Sequence, residues 1–165
     1  MRRRVTNPSF ADERLAALLD EENHELDGFL RLLEREQGAL GAGEVDRLVV
    51  LAEEKAAAFS RLAAIGRRRA ETLIGAGFGG RPEAFEAWLA RLPEKAPARA
   101  RWQRLRDAAA RAHDINRRNG ELIRMRLLHN RQALALLLSL ADQAALYGPD
   151  GQAQPRPSGR QIDLA

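Results

Sequence analysis

Glu21 and His24 sit in "EENHEL" with the Glu-x-x-His spacing that puts a carboxylate and an imidazole on one helix face. Di-metal helical bundles use that motif twice, with two further glutamates. Here it occurs once, because neither His113 nor His129 has a Glu three residues before it. Half a site holds no metal pair, and a lone surface histidine accounts for the spacing. "GAGFGG" (75–80) is glycine-rich, but it follows a helical pattern and lacks the Lys-Ser/Thr of a phosphate loop. No serine has an evident base, and the chain has no cysteine, which excludes disulfides and thiolate metal sites. These residues read as a non-enzyme with no cofactor and no metal.

What remains is charge. The formal net charge is +4, and all of the 27 basic residues except Lys55 and Lys95 are Arg. Ten arginines crowd the stretch from Ala98 to Arg131, against Asp107, Asp114 and Glu121. An Arg-rich helical nucleic-acid-binding protein is therefore one reading. Against it, the arginines scatter around the helix, and no aromatic follows Trp102 in that segment for bases to stack on. A solvated face or an acidic partner explains them equally well, and Arg in place of Lys is what a GC-rich genome produces. Nucleic acid is not the partner expected.

The elements that must position these residues are helices. Aromatics make up 5% of the chain and charged residues 30%, with Ala and Leu dominating the apolar set. The expected fold class is all-α: an antiparallel helical hairpin plus a long C-terminal helix in one coiled-coil-like bundle. Three long helices (about 11–40, 44–74 and 98–146) and one short one (about 83–92) are expected over a domain of 1–148, followed by a disordered tail, 149–165. Ser9 or Asp12 can cap the first helix, and Gly41 and Gly43 stop it. Its seam has Leu19, Leu26, Leu33 and Leu40 on one row, and Leu15 and Phe29 on the other, where Glu22 and Glu36 intrude. The second helix answers with Leu48, Leu51, Lys55, Ala58, Leu62, Ile65 and Arg69. Pairing of those charges across the seam and snorkelling of their long stems are both open. Between the hairpin and the last helix, a flexible or semi-ordered link carries Phe85, Trp88 and Leu89 as anchors, with Pro82 opening its short helix.

The last helix is too long for the hairpin. At ~1.5 Å per residue it reaches about 73 Å against about 45 Å for the others, so it bends or projects beyond them. On its seam fall Trp102, Leu105, Ala109, Ala112, Asn116, Asn119, Ile123, Arg126, Asn130, Ala133, Leu137 and Leu140. Three Asn thus lie on core rows, where they cost stability and fix register. Gly120 beside Asn119 lets another helix come close. After it, Leu134, Leu136, Leu137 and Leu138 point nearly all round the helix. Burial in a larger core and an apolar face kept for a partner helix are the two explanations. No apolar run precedes a cleavage site, and "ALALLLSLA" (133–141) is short of the ~20 residues that span a bilayer, so no membrane insertion is expected.

"INRRNGELIRMRLLHNRQAL" followed by "LYGPDGQ" resembles the FlgN family of flagellar export chaperones, through an Asn-x-x-Asn-Gly motif (116–120) and a Tyr-Gly-x-x-Gly ending (147–151). "EEK" (53–55), Trp102 and the helical plan extend the resemblance from Leu15 to Gln152. The Arg-rich segment departs from the family. The resemblance implies a cytoplasmic, non-enzymatic chaperone for flagellar hook-associated proteins, the FlgK/FlgL-like proteins of the hook–filament junction. It would bind their C-terminal helices and deliver them to the flagellar type III export gate. The client-binding residues are then Asn116, Asn119, Gly120, Leu122, Ile123, Leu127, Asn130, Leu134 and Leu137. Tyr147 and Gly148 would dock on the gate, although Tyr147 could equally cap the last turn. Self-association is a further partner, and a structural coiled-coil oligomer without a client is the other alternative.

Overall fold

The computed structural model of the chain describes residues 8–81 and 83–146. Four helices make it up: α1 (Pro8–Ala42), α2 (Val45–Gly75), α3 (Ala84–Arg91) and α4 (Pro97–Leu146). The expected all-α class and the order of long, long, short and long helices are what is found. The described residues divide into two units, one ending at Glu121 and one beginning at Leu122. The tail expected at 149–165 and Pro82 lie outside the described residues.

The first unit is organised by the α1–α2 hairpin. α1 starts at Pro8, ahead of the Ser9 and Asp12 expected as caps. It ends where Gly43 takes φ 77°, a left-handed conformation that a Cβ would strain, and the amide of Glu44 turns back to the carbonyl of Ala39 at 3.1 Å. Leu15, Leu19, Leu26, Leu33 and Leu40 are buried on α1, and Leu51, Ala58, Ile65 and Leu73 on α2. The four charges set into this seam pair with one another rather than only snorkelling. Lys55 Nζ lies 2.7 Å from Glu36 Oε1, and Arg69 Nε lies 2.9 Å from Glu22 Oε2. Outside them, Arg61–Glu25, Arg35–Glu54 and Arg68–Glu21 repeat the same antiparallel register. Exposed pairs of this kind each contribute well under about 1 kcal/mol, so they select the register more than they stabilise it.

The segment expected as a flexible link is instead packed into the core. α2 ends in a Schellman turn: Gly77 (φ 90°) donates to Ile74 O and Phe78 N donates to Leu73 O. That turn brings α3 back onto the hairpin, where Ala84, Phe85, Trp88 and Leu89 are buried. Trp88 is 1% exposed, and its Nε1 donates to Asp12 Oδ1 at 2.7 Å. Asp12 is thus a tether for α3, not the cap of α1. Phe85 lies between Trp88 and Trp102, with ring centres 5.0 and 4.4 Å away in tilted contacts, and the Arg69 guanidinium lies 5.0 Å from the Phe85 ring centre.

The first half of α4 packs on α1 through Ala98, Leu105, Ala108 and Ala112, which are buried, and Ile115, which is half-buried. This corrects the expected second row by one residue: Ala109 and Asn116 face solvent, and Ala108 and Ile115 face the core. An Ala-rich run offers little contrast between neighbouring faces. Polar contacts flank this seam. Asn23 donates to Arg101 O at 3.1 Å, while Arg101–Asp20 (2.8 Å), Arg104–Asp27 (2.6 Å) and Arg111–Glu34 (3.7 Å) run along α1. Three of the ten arginines of this region therefore serve as a ladder between helices.

Truncating Trp88 to Ala removes a fully buried indole and leaves Asp12 without its donor. It should lower unfolding free energy by about 3–5 kcal/mol in denaturant titration followed by circular dichroism. Arg99→Ala, whose guanidinium holds the part-buried carbonyl of Leu92 and the exposed one of Pro93 at the end of α3, should cost about 1 kcal/mol.

Candidate functional site

Asn116, Asn119 and Gly120 occupy the last turn of the first unit. Asn119 is 1% exposed; its Nδ2 donates to Leu33 O at 2.9 Å and to Glu36 Oε2 at 2.8 Å. Glu36 is itself buried, and its other oxygen accepts from Lys55. Lys55 Nζ also reaches Asn116 Oδ1 at 3.5 Å. One carboxylate from α1, one ammonium from α2 and two amides from α4 thus close a single polar cluster where three helices meet. A buried carboxylate without such partners would be costly, and these satisfy both of its oxygens. Asn119 Oδ1 has no protein partner among the described residues.

Two expectations change here. Of the three Asn expected on core rows, Asn119 alone is buried, while Asn116 and Asn130 are exposed. The amide donors of Asn119 are used inside the bundle, so it is not offered to a partner. Gly120 does not mark a close helix approach: a Cβ built on it meets no atom within 4 Å. Sequence reasoning missed that Glu36 and Lys55 are the partners of this Asn pair. The available signal was that both interrupt apolar seams at positions where an antiparallel hairpin brings them level.

The second unit, as far as it is described, is the helix from Leu122 to Leu146. Ile123, Leu127, Asn130, Leu134 and Leu137 follow one another at steps of four and three along one side of it. Leu122 is half-buried and the other five are exposed, with Leu134 and Leu137 at 58% and 64%. Met125, Leu128, Leu136, Leu138 and Leu140 are more than half exposed on the remaining faces. A row of large aliphatic side chains in water leaves apolar burial unrealised, since each buried Leu is worth about 1.5–3 kcal/mol. Asn130 gives that row one polar position, the device by which a coiled-coil seam restricts register and partner. Tyr147 and Gly148 lie outside the described residues.

The pair Glu21 and His24 is also resolved. Glu21 pairs with Arg68 and His24 is exposed, and no cluster of metal-ligating side chains is present among the described residues.

The profile of the family described as FlgN protein matches residues 2–155. The chain belongs to the FlgN family. It is 31% identical over 144 residues to the flagella synthesis protein FlgN of Yersinia enterocolitica serotype O:8 / biotype 1B, covering 86% of this chain and 90% of that protein. A second Yersinia enterocolitica protein of the same name is 30% identical over the same coverage. No solved structure matches at a comparable level of significance. The elements by which the chain resembles FlgN proteins now have physical places. Lys55 of "EEK" pairs with Glu36 and reaches Asn116, Asn119 of Asn-x-x-Asn-Gly donates to the same Glu36, and Trp102 lies tilted against Phe85.

In this FlgN-family chain, Asn119→Leu should cost about 1–3 kcal/mol in denaturant midpoint measurements, because Glu36 loses a buried donor. Gly120→Ala should instead raise stability by about 0.5–1 kcal/mol, since the added methyl meets open space in a helix interior.

Proposed function

We propose that the chain is a cytoplasmic, non-enzymatic export chaperone. It binds the C-terminal helical segments of FlgK/FlgL-like hook-associated proteins and delivers them to the flagellar type III export gate. The observation that carries this reading is the exposed aliphatic row Ile123, Leu127, Leu134 and Leu137, with Asn130 within it. An amphipathic client helix laid on that row buries the apolar faces of both. Membership of the FlgN family and similarity to proteins named for flagella synthesis support the flagellar setting. Asn119 belongs to the frame of this reading and not to its surface, whereas Asn116 is exposed and close enough to Lys55 to take either part. We assign Tyr147 and Gly148 to the gate, so that client and gate use different residues.

The nucleic-acid reading loses ground on the same structure. Of the arginines that suggested it, Arg101, Arg104, Arg111 and Arg117 pair with acids and Arg99 holds backbone carbonyls.

Calorimetry with a C-terminal peptide of a hook-associated protein tests the client surface. Wild type should bind in the micromolar range or tighter, and Leu134→Arg with Leu137→Arg should weaken binding at least about a hundredfold without loss of helix content. No binding by the wild type, or unchanged binding by the double variant, would refute the assignment. Tyr147→Ala should leave peptide affinity unchanged and lower secretion of the client in an export assay. Loss of peptide binding in that variant would contradict the division between client and gate.

A further inference from the structure

One flank of α2, about 100° round the helix from the seam that faces α1, carries a second heptad row. Val45, Val49, Ala52, Ala56, Phe59 and Ala63 succeed one another at steps of four and three, the spacing of a coiled-coil seam. None is buried, and Val45, Val49 and Phe59 are 67%, 60% and 65% exposed. Val50, at 52%, widens the patch near its start. The outer face of a solvated helix is ordinarily polar. Here Lys55 and Arg69, which pair with α1, flank the row on one side only.

We propose that this face of α2 is a self-association surface, on which α2 of a second copy of the chain lies antiparallel. Charge is the first ground. Asp46 and Arg67 flank the row on the same side, at equivalent heptad positions near its two ends, and both are exposed with no ion pair among the described residues. Two antiparallel helices bring the same flanking position of each together, so Asp46 of one copy meets Arg67 of the other. Two-fold symmetry then makes the pair twice. A parallel arrangement would match this flank with the opposite one, where Lys55 and Arg69 are already engaged by Glu36 and Glu22.

Size is the second ground. In the register that joins Asp46 to Arg67, Phe59 faces Ala56 of the second copy, Val49 faces Gly66, and Val45 faces Ala70. Each large side chain meets a small one, whereas a parallel pair would set Phe59 against Phe59. A Cβ built on Gly66 meets no atom within 4 Å, so the surface there is open. Gly66 and Ala70 also border a cleft of about 410 Å³ lined by Phe85 and Trp102 and by Arg69, Arg81 and Glu86, a mixed recess that Val45 of the second copy would enter. This surface uses different residues from the client row and stands without it.

Sedimentation of the full chain from micromolar to hundreds of micromolar concentration tests the proposal. Wild type should show a reversible monomer–dimer equilibrium. Phe59→Arg should be monomeric over that range with unchanged helix content, while Leu137→Arg should still dimerise. Asp46→Arg and Arg67→Asp should each raise the dimer dissociation constant about tenfold, and the variant carrying both changes should recover most of that loss. A wild type monomeric throughout, dimerisation indifferent to Phe59→Arg, loss of the dimer in Leu137→Arg, or no recovery in the double charge swap would each overturn it. Should Phe59→Arg remain as monomeric as wild type and lose client peptide instead, the face belongs to the client and the proposal falls.

Discussion

The carboxylate of Glu36 is the constraint on which the bundle depends. Its side chain is withdrawn from water, and Lys55 and Asn119 reach its two oxygens from two other helices. A leucine seam alone is permissive: sliding one helix by a heptad puts Leu opposite Leu again. Sliding α2 or α4 past α1 would strand a buried anion, and that penalty is far larger than any single apolar contact. Glu22 and Arg69 repeat the device two heptads away, and Arg69 extends it to the aromatic rings of Phe85 and Trp102. Polar side chains thus decide which of several apolar packings is realised.

This arrangement separates specification from exposure. Up to Glu121 the chain invests its polar residues in contacts among its own helices: the α1–α2 pairs, the arginine ladder from α4 to α1, and the tether from Trp88 to Asp12. From Leu122 on, large aliphatic side chains face solvent. The first unit supplies a rigid frame with few apolar side chains left over on α1. The second leaves its aliphatic side chains in solvent.

The helical plan could be read from the residues because heptads on α1 and α2 are long and rich in Leu, and because Gly43 and Gly77 punctuate them at left-handed turns. The hairpin register was implicit in Glu22, Glu36, Lys55 and Arg69, although only the three-dimensional arrangement decided between pairing and snorkelling. Where apolar contrast vanished, so did resolution. Ala108, Ala109, Ala110 and Ala112 admit two seams one residue apart, and the structure takes the one through Ala108 and Ile115. A helix as short as α3 has too little period to reveal that Trp88 is core. Of the candidate site, the aliphatic row was readable from leucine density, while the inward turn of Asn119 depended on a carboxylate remote in sequence.

The order in which these parts occur along the chain matters for how the protein comes into being. The hairpin closes on itself through a short turn, so its ion pairs and leucine rows can form as soon as α2 has left the ribosome. The α3 plug and the first half of α4 then dock on a surface already made. The aliphatic helix is synthesised after all of them. Its aliphatic segment therefore leaves the ribosome only after the whole hairpin has done so.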